Sequence, residues 1–142
     1  MHVEHTATLS NISPTVSYLG SIPSNPKQLD VILSDIYLEN YQKVINKALS
    51  KSNLFKEDIN FLFTNQVKKS LSCKILNSLG LKEEQTYISL SEYGHLGAVD
   101  PLFCLAKTLE NKQINSGDII VLTSSATGFS WAALIVKFLS VS

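Results

Sequence analysis

Arginine is missing altogether: all 12 basic residues are lysines. Arginine's planar fork is the usual reader of guanine edges and the usual clamp on phosphates, so its absence argues against a nucleic-acid surface. Neither sign of charge is in excess, with 12 acidic residues against 12 basic ones. No apolar run has membrane-spanning length; the run from Val99 to Leu109 is interrupted by Asp100 and Lys107 and followed by Glu110. The opening residues, Met1-His2-Val3-Glu4-His5-Thr6, carry no signal-peptide pattern. The cysteines number two, Cys73 and Cys104. Both sit in helix-like segments without metal-ligand spacing, so the expectation is reduced structural thiols, no metal site, no bound cofactor and a cytoplasmic protein.

What is present suffices for one globular core, since 44% of the 142 residues are hydrophobic. Residues 1–28 read as an irregular N-terminal arm: a short alternating strand at 3–9, then Pro14, Gly20, Pro23 and Pro26 among many Ser and Asn. Residues 29–142 read as the folded domain. A helix is expected over 30–52, where Tyr41, Val44, Ile45 and Ala48 form one apolar stripe. A buried strand follows at 59–64, then a helix over 66–79 closed by Gly80. Thr86 to Leu90 alternates like a strand, and 119–123 and 129–138 read as strands joined by a tight turn. The alternation predicts an α/β fold: a mostly parallel sheet with one antiparallel strand and helices on both faces.

The chain is organised around Tyr93-Gly94-His95-Leu96-Gly97-Ala98 and the helix after it. Leu96, Ala98, Val99, Leu102, Phe103, Leu105, Ala106 and Leu109 make that helix apolar on almost every side, which predicts burial on every side. Pro101 is tolerated in its first turn. Taken alone, the segment reads as a core helix with a loop histidine at its start. In a sheet of this kind, however, function gathers at the carboxyl ends of the strands. Three loops are expected there, carrying Asn65-Gln66, Gly94-His95 and Ser124 to Gly128.

Those loops carry a family resemblance. Leu62-Phe63-Thr64-Asn65-Gln66, Tyr93 to Ala98, Ile114-Asn115-Ser116-Gly117-Asp118 and Gly128-Phe129-Ser130-Trp131-Ala132-Ala133-Leu134 occur in order. Over about 30–138 they resemble the C-terminal half of ketoacyl-ACP synthase III, a thiolase-like fold. The resemblance implies an acyltransferase or condensing enzyme acting on acyl-CoA or acyl carrier protein thioesters. It implies catalytic roles for His95 and Asn65, an oxyanion role for the Thr127 and Gly128 backbone, and carrier or substrate contact at Lys68 and Lys69. Asn65 falls where the family has histidine and His95 where it has asparagine; Asn before His is the thiolase order. Ser70 replaces the family's arginine, and Thr127 the second glycine of a triple.

The resemblance also implies a partner. Family members have two similar halves, and the nucleophilic cysteine belongs to the N-terminal one. This chain would then be inactive alone and would complete its site with an N-terminal half or partner subunit, as part of a homo- or hetero-oligomer. The alternative is a degenerate, non-catalytic partner or carrier-binding module. Taken residue by residue, Lys68-Lys69 and Glu83-Glu84 also fit solvated faces, Asn65 a strand-end cap, Ser124 a turn and Trp131 the core. His2 and His5 fit solvated side chains.

Overall fold

The computed structural model describes residues 2–5, 26–126 and 129–139. Its elements run β1 (His2–His5), α1 (Pro26–Lys51), β2 (Ile59–Phe63), α2 (Lys69–Ser78), one-turn α3 (Leu90–Tyr93), α4 (Asp100–Glu110), β3 (Ile119–Ala126) and β4 (Ser130–Lys137). The strands form one mixed sheet in the order β1-β4-β3-β2. β2 and β3 are parallel, whereas β4 is antiparallel to both β3 and β1.

β2, β3 and β4 each send side chains into two cores, one on each side of the pleat. Leu62, Val121, Trp131 and Ala133 face one side with Tyr41, Val44, Ile45 and Ala48 of α1 and Leu71, Ile75 and Leu76 of α2. Phe63, Ile120 and Leu122 face the other with Cys104 of α4 and Ile114. The expected helices on both faces are therefore present, as is the apolar stripe of α1.

Two expectations are corrected. The sheet is not mostly parallel, because 86–90 is no strand. Side chains make the bonds that a strand's backbone would have made: Thr86 Oγ1 donates to Leu62 O at 2.6 Å, and Gln85 Nε2 to Ile59 O and Asn60 O, both at 3.1 Å. These bonds cover the open edge of β2. Ser89 O then accepts the Tyr93 N–H at 2.9 Å and turns the chain into α3. The second correction concerns α4, which is covered on one side only. Val99 is 55% exposed, Leu102 57% and Leu96 39%. Of the N-terminal arm, residues 6–25 lie outside the described residues, while β1 joins the sheet of the main domain.

Candidate active site

The site lies at the edge where β2 and β3 end. β2 runs into Thr64-Asn65-Gln66, all buried. The Asn65 carboxamide stitches this loop to its neighbours: Ser125 N–H of β3 donates to its Oδ1 at 2.8 Å, and its Nδ2 donates to Gly97 O at 3.0 Å. Ser125 Oγ in turn accepts the Tyr41 hydroxyl at 2.9 Å, which ties the edge to α1. Burial pushes the Tyr41 phenol up to about 12, with the Ser125 bond opposing the shift.

His95 comes from the loop that closes α3. Gly94 and Gly97, at φ 71° each, supply the left-handed backbone that brackets it. Its Nδ1 lies 2.5 Å from Oδ2 of Asp100, the first residue of α4. Asp100 is fully buried. Its Oδ2 also accepts the Gln66 N–H at 2.7 Å, and its Oδ1 the Leu96 N–H at 2.8 Å. Two backbone donors and the helix N-terminus thus surround one carboxylate, the arrangement that makes burying it tolerable. The His95 side chain is 42% exposed, so the ring is held on its inner edge and open on its outer one.

The expected convergence is therefore present in part. Asn65 and His95 share one edge, joined through Gly97 and Asp100, although the His95 loop leaves a helical turn rather than a strand. Thr127 and Gly128 lie outside the described residues. Lys68 forms an ion pair with Asp30 of α1 at 2.5 Å, and Lys69 is exposed at the start of α2. The Lys68–Asp30 pair lines a groove of about 260 Å³ with Leu33, Tyr37, Val67 and Leu71. A depression of about 710 Å³ at Leu54 and Phe55 lies ahead of β2, at the other end of that strand from this chemistry.

Asp100 was not legible as a site residue; in sequence it only breaks an apolar run. The available signal was its place: an acid opening a helix with apolar neighbours on all sides must find buried partners. Cys104 is the expected buried thiol, 3.7 Å from Ser89 Oγ, and burial pushes its pKa up while the bond to Ser89 opposes this. Cys73, expected as a structural thiol within a helix, lies on α2 but is only half-buried, with Sγ 3.8 Å from Glu83 Oε1. Among the described residues no cluster of His, Cys, Asp and Glu is placed to hold a metal, and no helix is long and apolar enough to cross a membrane.

Residues 49–138 match the family model described as 3-oxoacyl-[acyl-carrier-protein (ACP)] synthase III C terminal. The chain belongs to the 3-oxoacyl-ACP synthase III family. The match falls in that family's C-terminal domain, within the thiolase-like superfamily. Among curated relatives, the β-ketoacyl-ACP synthase III of Clostridium tetani is 31% identical over 97 residues, covering 68% of this chain and 29% of that protein. The synthase III of Chlorobium phaeobacteroides is 30% identical over 95 residues, with 67% and 29% covered. The chain thus spans under a third of the curated relatives it matches. Among solved structures, the synthase III of Thermus thermophilus superposes with a TM-score of 0.71 at 21% identity, covering 80% of this chain and 34% of that one. A cerulenin-bound OleA variant from Xanthomonas campestris gives 0.69 at 20% identity, with 75% and 32% covered. At these identities the superpositions show the fold.

Proposed function

We propose that the chain is the C-terminal domain of a synthase III-like acyltransferase acting on acyl-CoA or acyl carrier protein thioesters. The observation that carries this reading is His95, at the mouth of α4, anchored on the buried Asp100 carboxylate with its outer ring edge open. A cysteine from an N-terminal half or partner subunit takes the acyl group as a thioester. His95 serves that transfer as base or imidazole donor. Asn65 holds the loops in place, and the Thr127 and Gly128 backbone N–H groups complete an oxyanion hole. Lys69, together with Lys68 once released from Asp30, meets the anionic carrier or the CoA phosphates along the Lys68 groove.

The chain alone supplies no suitable thiol: Cys104 is sealed in the core, and Cys73 sits mid-helix on α2 facing Glu83. The test is intact mass and acyl transfer with an acyl-CoA, for the chain alone and for the chain reconstituted with a cysteine-bearing N-terminal half. The expected result is no adduct alone and turnover in the pair, with His95→Ala costing about 10²–10⁴-fold and Cys73→Ala or Cys104→Ala leaving it near wild type. A stable but inert pair would favour the non-catalytic partner. That alternative draws support from Asn65, whose amide is already bonded at both ends within the fold. A stoichiometric adduct on Cys73 or Cys104 of the isolated chain would overturn both readings.

A further inference from the structure

We propose that Asp100 is a positioning residue that sets the tautomer of His95. Nδ1 carries the proton and Nε2 keeps the lone pair, so His95 is the proton acceptor of the transfer rather than an N–H donor to the thioester oxygen. The assignment to the transfer rests on the proposed function; the tautomer itself does not.

The argument starts from the carboxylate. Each Asp100 oxygen already accepts a backbone N–H, from Leu96 at Oδ1 and from Gln66 at Oδ2. An ionised carboxylate only accepts, so the short contact at Oδ2 requires the His95 Nδ1 to donate. A neutral imidazole has one donor and one acceptor nitrogen, and fixing the first fixes the second. Nδ1 is the inner nitrogen, against a fully buried partner; with 42% of the side chain exposed, the open ring edge is the one bearing Nε2. Asp100 is held from two loops at once, so the ring is oriented by Gln66 of the loop after β2 as well as by its own loop. The same logic of a buried carboxylate on imidazole Nδ1 operates in the serine-protease triad, on an unrelated fold.

The chemistry then balances without a further reagent. Nε2 takes the proton of the partner cysteine's thiol. The thiolate attacks the thioester carbonyl carbon, and the tetrahedral intermediate collapses by breaking the bond to the CoA or carrier sulfur. The departing thiolate recovers the proton from Nε2. The acyl group moves from one sulfur to another with no net oxidation or reduction. A lone pair at Nε2 offers no hydrogen bond to an enolate oxygen, and the Asn65 amide spends its Oδ1 on Ser125 and one of its two Nδ2–H groups on Gly97. His95 is therefore set for acyl transfer by base catalysis rather than for the donor role of a decarboxylation.

The test is the two-bond ¹H–¹⁵N correlation spectrum of the ¹⁵N-labelled chain, at a pH where the ring is neutral. His95 is assigned against His2 and His5 with His95→Gln. The expected wild-type pattern is a protonated, pyrrole-type Nδ1 and a pyridine-type Nε2, shifting towards protonated Nε2 in Asp100→Asn. A wild-type ring protonated at Nε2 overturns the proposal, as does an Asp100→Asn spectrum identical to wild type. If Asp100→Asn fails to fold, the wild-type spectrum decides alone. Because the readout needs no partner and no turnover, an inert reconstituted pair would count against the proposed function and leave the tautomer standing.

Discussion

The two faces of the sheet use the same strands and end differently. On the α1 and α2 face, Tyr41, Val44, Ile45, Leu62, Ile75, Val121 and Trp131 are all at most 1% exposed. On the α4 face, Phe63, Cys104 and Ile120 are equally sealed, yet Val99 and Leu102 stand more than half open and Leu134 is 37% exposed. An apolar groove of about 240 Å³ runs between them, lined by Ala98, Pro101, Leu122 and Ala132. One face is a finished core, whereas the other is a core with one wall missing. The His95–Asp100 pair sits at the top of the unfinished face, where a second body would bring chemistry to it.

The finished face should dominate stability. Trp131 is buried between Tyr37, edge-on at 5.4 Å between ring centroids, and Phe129 at 6.1 Å. Trp131→Ala should cost about 3–5 kcal/mol by urea denaturation. A loss comparable to that of an exposed residue would mean this face is not the core of the chain.

Next in size comes the contrast between Asn65 and His95, which the family resemblance pairs as site residues. Asn65→Ala strands the Ser125 N–H and the Gly97 carbonyl, which should cost about 1–3 kcal/mol. His95→Ala removes a partly exposed ring and one hydrogen-bond donor to Asp100, whose carboxylate keeps the Leu96 and Gln66 N–H groups, so it should cost less, about 1 kcal/mol. Equal midpoints and slopes for the two variants would show that Asn65 is not the clamp its bonds indicate.

These residues also mark what could be read from sequence. The α1 stripe, the cap at Gly80 and strands at 59–64, 119–123 and 129–138 were legible because periodicity reports which side of an element is buried; Ser124 to Ala126, which read as a turn, instead continue β3 against β4. Residues 86–90 were not, because alternation cannot distinguish a strand from an extended segment whose side chains bond a strand's edge. The shared edge of Asn65 and His95 was legible from strand-end logic. Asp100 was not, since its role depends on the N–H of Gln66, 34 residues away, arriving at the same carboxylate. The open side of α4 was half legible: the residues announced two apolar sides, but not that only one would be covered within the chain.

The bond from Tyr41 to Ser125 ties the finished face to the site edge, and it should give stability a pH signature. The folded-state pKa is raised by burial to about 12 from 10.0, so the phenol stays neutral in the folded chain after it has ionised in the unfolded one. Above pH 10 the unfolded state therefore binds fewer protons than the folded state, and stability falls as pH rises. The contribution is fully present below pH 10 and is lost between pH 10 and about 12. Tyr41→Phe should lower stability at neutral pH by about 1 kcal/mol, one hydrogen bond, and flatten the alkaline decline. An unchanged slope from pH 10 upwards would assign the alkaline loss to other groups.

The smallest stability effect is expected where the two faces differ most. Leu102 is 57% exposed at the centre of the open face, so Leu102→Asp should leave the urea midpoint of the dilute chain within about 0.5 kcal/mol of wild type. Association should respond instead. Fully burying a Val or Leu side chain is worth about 1.5–3 kcal/mol, so covering Leu96, Val99, Leu102 and Leu134 provides a real driving force. A contiguous apolar surface of this kind marks a site of interaction. An aspartate at its centre would have to be desolvated without a partner, which opposes docking far more than it disturbs the free chain. Sedimentation velocity across a concentration series should show the wild-type chain associating, with itself or with a cysteine-bearing half, and Leu102→Asp failing to do so. If wild type stays monomeric at every concentration and binds no such half, the open face is simply solvated, and the missing wall is no wall at all. If instead Leu102→Asp unfolds the dilute chain, Leu102 belongs to the interior and the contrast between the two faces collapses.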